Sequence, residues 1–292
     1  MLSDELMRKV RRIEITTRRS VDSMMSGRYK SHFKGHGVQF SEHREYVAGD
    51  DIRHIDWKVS ARTRDPLIKK FDEERELTAL IVLDISGSDE FGSKVHVKRE
   101  MAAEVGGMLA YTALKTGDKV GLLTFSGKTE KMIHPAKGRQ QTLRIIREML
   151  AAKSMHAGTD LAGALDAATR LMKHAGIVFV LSDFQAKGYD KALKRLARRN
   201  DVVAILLEDP LEKNLKNLGQ VLLFNPETNQ QQMVDTNSYG FKKWLEDFNQ
   251  ERGKNRDSAL KSSRVEQIRI STEEDYAEAV VRFFKARARK KR

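Results

Sequence analysis

The sequence predicts an α/β protein with a doubly wound, mainly parallel sheet, preceded by an N-terminal helix and a loop/strand extension. Two observations carry this expectation. Near-continuous apolar runs of strand length, Leu77–Ile85, Ile177–Leu181 and Val202–Leu207, are what strands buried on both faces require. Between them lie stretches with helical spacing, and buried strands alternating with helices wind into a parallel sheet.

The elements follow in order. Residues 3–26 set Leu6, Val10, Ile13, Val21 and Met24 at helical intervals with Arg and Lys between them, the pattern of an amphipathic helix with a basic outer face. Residues 27–75 have no clear period. Four Gly, the aromatics Tyr29, Phe33, Phe40, Tyr46, Trp57 and Phe71, and dense charges of both signs predict short strands and loops there. From Leu77 the alternation begins: a strand to Ile85, a helix over 94–115 ended by Gly117, then strand Val120–Phe125 and a hairpin reaching Ile133. Helices are expected over Arg139–Ala152 and Leu161–His174, the second opened by Thr159 as N-cap. Strand Ile177–Leu181, helix Tyr189–Arg199, strand Val202–Leu207 and strand Val221–Phe224 follow. A long helix near Ser238–Leu260 and strand Glu266–Ile270 come next, and Ser271-Thr272-Glu273-Glu274 reads as a capping box opening the last helix. The expected domains are residues 1–75, a sheet domain over 76–284 and a basic tail, 285–292.

The 292 residues hold 54 Lys+Arg against 41 Asp+Glu, a net charge of +13, and no Cys. Without cysteine there are no disulfides, thiolate nucleophiles or cysteine zinc sites. The charge is concentrated at the ends: residues 1–34 carry +5 and Lys285–Arg292 carry +6, leaving +2 for everything between. No stretch approaches the roughly 20 apolar residues of a membrane span. Met1-Leu2-Ser3-Asp4-Glu5 lacks the apolar core of a signal peptide, so the expected location is the cytoplasm.

In a doubly wound sheet, ligands gather in loops beyond the carboxyl ends of the strands. Three such loops carry oxygen donors: Asp84-Ile85-Ser86-Gly87-Ser88, Ala157-Gly158-Thr159-Asp160 and Ser182-Asp183-Phe184. Asp84 and Asp183 supply charge, and Ser86, Ser88 and Thr159 supply hydroxyls. An all-oxygen set of this kind suits one hard cation, Mg²⁺ or alternatively Mn²⁺ or Ca²⁺. With two carboxylates bound directly or through water and neutral hydroxyls for the rest, an open position on the ion would take a carboxylate from outside. Taken singly, a Thr before a helix is most often a cap and an Asp after a strand a turn former. It is their placement in three loops of one predicted sheet that gives them weight.

Asp84-x-Ser86-x-Ser88, Thr159 and Asp183 resemble the metal-ion-dependent adhesion site of the von Willebrand factor A-type fold at all five positions. Upstream, several blocks are similar to the signature of the domain-of-unknown-function-58 family. They are Gly35-His36-Gly37-Val38-Gln39-Phe40, Arg44-Glu45-Tyr46, Gly49-Asp50-Asp51-x-Arg53-x-Ile55-Asp56-Trp57-Lys58, Ser60-Ala61-Arg62 and Glu74. The resemblance implies a Rossmann-type, von Willebrand A-like domain, often encoded beside a MoxR-type AAA+ ATPase. It further implies an adaptor working with that ATPase in chaperone-like or metal-centre maturation. Many members begin with two membrane helices, whereas the residues here favour a soluble member.

Two readings of Arg44–Arg62 stay open. The charges around Tyr46 and Trp57 form either an ion-paired network that packs Trp57 on the sheet and caps an edge, or a docking surface. Gly49-Asp50-Asp51 reads as a turn, since the ligand spacing of a calcium loop is missing. For function, the expectation is a non-enzymatic adaptor that binds an acidic group of a protein partner through the cation site. The alternatives are nucleic-acid or acidic-polymer binding through the basic ends, and a Mg²⁺-dependent phosphohydrolase using Asp84. No Walker-type phosphate loop supports the latter. His134, His156 and His174 lack metal or triad spacing, though His156 stands three residues before Thr159.

Overall fold

The computed structural model describes residues 8, 11–13, 35–47, 49–63, 65–75, 77–86, 98–210, 219–225 and 230–290. They divide into two compact units. Residues 30–77 supply one; Thr78 onward, with Arg8 and residues 11–13, supplies the other.

The larger unit is built on a six-stranded sheet. Its strands are β3 (Thr78–Asp84), β4 (Lys119–Phe125), β5 (Thr129–Ala136), β6 (Ile177–Leu181), β7 (Asp201–Glu208) and β10 (Glu266–Ser271). They lie in the order β10-β7-β6-β3-β4-β5. Every neighbouring pair is parallel except β4–β5, an antiparallel hairpin at the edge. The order reverses beside β3, where successive crossovers depart to opposite sides. Leu80, Ile81 and Val82 have no exposed surface, as a strand covered on both faces demands. The expected α/β class and mainly parallel sheet are thus present.

Helices cover both faces. Following the small helix α1 of the other unit (Trp57–Thr63), they are α2 (Lys98–Thr116), α3 (Arg139–Ala151), α4 (Leu161–Leu171), α5 (Asp190–Arg199), α6 (Tyr239–Ser262) and α7 (Tyr276–Lys290). Residues 11–13 are helical, and Ile13 is buried where α2 has Gly107. A second hairpin, β8 (Gln220–Asn225) with β9 (Gln230–Asp235), leaves Leu222 and Met233 more than half exposed.

Three local expectations are corrected. Helix α4 is capped by Asp160, whose carboxylate accepts the Gly163 N–H at 2.8 Å, and not by Thr159. The cap of helix α7 lies four residues beyond Ser271, the first residue of the supposed capping box. Ser271 is still paired in β10, Thr272 is buried with its hydroxyl on Asp209, and Asp275 takes the cap by accepting the Ala277 N–H at 2.8 Å. Residues 285–290, expected as a tail, continue α7. Ala, Arg and Lys are strong helix formers, and the turn is anchored by Phe284 against Phe179 and by Arg287 on Asp201 and Glu266.

In the smaller unit, β1 (Gly35–Glu45) pairs antiparallel with β2 (Leu67–Arg75). The connection carries a single 3₁₀ turn, Ile52–His54, and α1. Its ion pairs are local: Arg44 grips Asp50 with both terminal nitrogens at 2.6 and 2.7 Å, and Arg53 folds back on Asp51. His43 meets Asp56 at 3.1 Å. The Gly49 φ of 111° and the bond from Asp50 N–H to the Val47 carbonyl make the expected turn. The network exists, but it does not bury Trp57, which is 69 % exposed; Val47 and Ile52 are exposed too. Each pair closes its own short loop and leaves the indole outside.

Replacing Asp275 by Ala should remove about 1 kcal/mol of stability, while Glu274→Ala should be close to neutral; urea denaturation of the two variants checks which residue caps α7.

Candidate metal centre

Asp84 ends the central strand and is only 2 % exposed. Its Oδ1 accepts the Ser86 N–H at 3.0 Å, turning the chain back over the strand end. Its Oδ2 accepts the Ser182 hydroxyl at 2.7 Å, from the neighbouring strand end of β6. Ser182 is equally buried, and its Oγ accepts the Phe184 N–H at 3.0 Å. This sharp turn places Phe184 at a φ of 55°, a left-handed conformation that disfavours a side chain by about 1–2 kcal/mol. Burial of the Phe184 ring, edge-on to Tyr189 at 5.8 Å, offsets that strain. The outcome is that Asp183 stands at the turn, half-buried, with Oδ1 on the Gln185 N–H.

Two carboxylates therefore converge beyond adjacent parallel strands. Among the described residues neither has a Lys or Arg partner. Burial first, and then the charge of Asp183, push the Asp84 carboxyl up to about 6, against the opposing hydrogen bonds from Ser182 and Ser86. A pair that destabilises its own ionised state, surrounded by hydroxyl oxygens, fits the donor set of a hard divalent cation. No cluster of three or more His, Asp or Glu is present among the described residues, so the candidate set stays at two carboxylates plus hydroxyls.

The structure brings Asp84, Ser86 and Asp183 to one end of the sheet. Ser88 lies outside the described residues. Thr159 sits in the loop between α3 and α4, and that loop is fixed at the end of β4. Asp160 N–H bonds the Ser126 carbonyl at 2.7 Å, and Ile85 N–H bonds the Phe125 carbonyl at 2.8 Å, so the helix–helix loop of Thr159 and the loop that leaves β3 at Ser86 are both held at the end of β4. The clamp on the Thr159 loop is Glu130. Its Oε1 accepts the Ser126 hydroxyl at 2.5 Å, the Met155 N–H at 3.0 Å, and both the backbone N–H and Nδ1 of His156 at 3.2 and 3.0 Å. These bonds overcome an opposing burial penalty and hold the carboxyl down at about 2. Gly127 completes the clamp: a Cβ there would stand 2.1 Å from the Ala157 carbonyl oxygen.

Ser182 and Glu130 had no assigned role in the sequence. Ser182 carried a faint signal, as a polar residue directly after an apolar strand. Glu130, in Thr129-Glu130-Lys131, is indistinguishable from an exposed strand residue until the hairpin turns it inward.

Comparison with known proteins identifies the family. The description "Protein of unknown function DUF58" matches residues 42–256. The chain belongs to the DUF58 family. Among the relatives of this DUF58 protein is the uncharacterized protein Mb1516 of Mycobacterium bovis. It is 30% identical over 222 residues, which cover 75% of this chain and 70% of that one. The uncharacterized protein YeaD of Bacillus subtilis is 28% identical over 109 residues, covering 37% and 25% of the two chains. Among solved structures, the conserved hypothetical protein BatB from Bacteroides thetaiotaomicron is similar, with a TM-score of 0.48 and 17% identity over 73% of this chain and 99% of that one. The SpRpn10 VWA domain is similar with a TM-score of 0.44 and 11% identity over 70% and 94%. The von Willebrand A-like character of this DUF58 protein rests on its own strand order, its antiparallel edge hairpin and its crossovers.

Two outcomes follow. In EDTA at neutral pH, Asp84→Asn should raise stability by roughly 1–2 kcal/mol, because a raised carboxyl pKa means stability is lost as pH climbs from about 4 to 6 and stays lost above; added Mg²⁺ should stabilise the native protein and not the variant. Glu130 has the opposite sign: its lowered pKa contributes stability that is present above about 4.5 and disappears as pH falls toward 2. Thermal melts across that range should show Glu130→Gln destabilised at pH 7 by about 1–3 kcal/mol, with the gap to native protein narrowing in acid.

Proposed function

We propose that this DUF58 protein is a non-enzymatic adaptor that captures an acidic group of a protein partner at a divalent-cation site formed by Asp84, Ser86, Ser88, Thr159 and Asp183. The observation that carries this reading is the convergence of Asp84 and Asp183 beyond adjacent strands without a basic partner among the described residues. A single Mg²⁺, Mn²⁺ or Ca²⁺ would supply the positive centre to which a carboxylate can bond. The chain's own residues do the rest. Ser182 and the Ser86 N–H fix both Asp84 oxygens, the strained Phe184 turn presents Asp183, and Glu130 holds the Thr159 loop against the end of β4.

The partner in this reading is a MoxR-type AAA+ ATPase or its client. His156, the histidine nearest the site in sequence, has its Nδ1 engaged by Glu130 and acts as a loop fastener here. Of the C-terminal bases, Arg287 is taken up by Asp201 and Glu266. Among the described residues no helix is long and apolar enough to cross a membrane.

A pull-down with a MoxR-type AAA+ ATPase from the same organism tests the reading. Asp84→Ala, Asp183→Ala and EDTA should each weaken capture by about 100-fold, the scale of roughly 2–5 kcal/mol lost when one side of a desolvated charged contact is removed. Circular dichroism should show the variants folded. Capture that survives all three treatments would rule out the cation bridge.

A further inference from the structure

The charge of only +2 between the basic ends conceals a separation that the fold creates. The parallel strands all start at the end of the sheet opposite the candidate cation site, and the antiparallel β5 finishes there. At that end every strand but β3 has an exposed base beside it. In the order of the sheet they are Arg264 ahead of β10, Arg199 ahead of β7, Lys173 ahead of β6, Lys119 opening β4 and Lys137 following β5. Neighbouring strands lie about 4.8 Å apart, so the five bases form a row about 24 Å long.

The acids at this end are already engaged. Asp118 is buried and accepts the Thr116 hydroxyl, while Asp201 and Glu266 both close on Arg287. Among the described residues no other carboxylate belongs to the strand starts or to the loops leading into them. Lys173, Arg199 and Arg264 have no carboxylate in ion-pair contact among those residues.

Helix ends account for other bases, but not for this row. Helices α2, α4, α5, α6 and α7 finish here, and each end carries about half a negative charge. Lys115, Arg170, Arg198 and Lys261, in the last turns of the first four, already meet that charge. Arg264, Lys173, Lys119 and Lys137 lie outside the helices. Lys137 even precedes the start of α3, an end that repels cations, and no acid stands in that helix's first turn. Like charges gathered on one surface repel one another, and an anionic partner would remove that cost.

Two further observations select the partner. The bases follow a line, which matches a linear array of phosphates better than the plane of a lipid surface. None of the large exposed apolar residues belongs to these loops, so they offer neither a wedge for a membrane nor an aromatic platform for unstacked bases. What they can contact is a backbone whose phosphates are already held at fixed spacing, as in a duplex.

We propose that this end of the sheet binds double-stranded nucleic acid through its phosphate backbone, without reading sequence. The row and the candidate cation site occupy opposite ends of the sheet, so this proposal stands independently of the adaptor reading.

The test titrates the full chain into a short, fluorescently labelled random-sequence DNA duplex and follows anisotropy. EDTA is present throughout, so the candidate cation site plays no part. Binding should be micromolar at low salt, with a log–log salt slope of about −4.5, the value for five neutralised phosphates. Lys173→Gln combined with Arg199→Gln should weaken binding by about tenfold and flatten the slope by about two. Circular dichroism should show this variant folded. Arg8→Gln with Arg11→Gln, at the other basic end, should leave the slope unchanged. No saturable binding overturns the proposal, as does a slope that follows Arg8 and Arg11 but not the row. A single strand bound more tightly than the duplex overturns the backbone contact. Row-dependent binding to phosphatidylserine vesicles without binding to the duplex overturns the nucleic-acid occupant in favour of a membrane.

Discussion

Strand β3 has to be covered on both faces and hydrogen-bonded on both edges, and the rest of the larger unit is arranged around that requirement. Parallel neighbours on each side, β6 and β4, satisfy its backbone. Parallel pairing forbids tight hairpins and forces crossovers, which supply the helices that seal the two faces. The same geometry collects the loops after β3, β4 and β6 at one end of the sheet. A buried strand that terminates in Asp84 therefore drives a carboxylate into a crowded, poorly hydrated corner, and the neighbouring residues are selected by how they meet that charge.

They meet it incompletely. Ser182 and the Ser86 N–H solvate Asp84, yet Asp183 stands close enough to oppose it, and the carboxyl is pushed well above its ordinary range. Phe184 adds a left-handed backbone to the same turn. In the adaptor reading proposed above, a bound cation would relieve this pair of carboxylates. The stiffness around the pair is of another kind. Glu130 gathers four donors on a single oxygen and makes the Thr159 loop part of the β4–β5 hairpin. If these groups take a ligand, a rigid frame would leave little further ordering to be done on association.

Surfaces that the fold leaves open have a common character. Val47, Ile52 and Trp57 in the smaller unit, and Tyr239, Trp244, Leu222 and Met233 in the larger, are large apolar side chains more than half exposed. Isolated exposed apolar residues need no explanation, but a stacked aromatic column such as Phe241, Trp244 and Phe248 does.

The sequence by itself determined the sheet. Strand and helix periods lie within short windows, and β3, β4, β6 and β7 fall within a residue or two of the apolar runs that predict them. It also placed Asp84, Ser86 and Asp183 at strand ends, because loop position follows from strand position, whereas the helix–helix loop of Thr159 reaches the end of β4 only through tertiary bonds. Tertiary structure decided the partners. Ser182 meets Asp84 across 98 residues and Glu130 meets His156 across 26, distances at which spacing carries no signal. The caps moved for a related reason: Thr159 and Ser271 have the right chemistry, but the length of β10 and the anchoring of the Thr159 loop hand the role to Asp160 and Asp275. Trp57 went outward because its neighbouring ion pairs close on themselves. Local periodicity is written in the chain; which polar groups answer a buried charge is fixed only once topology has set what lies beside it.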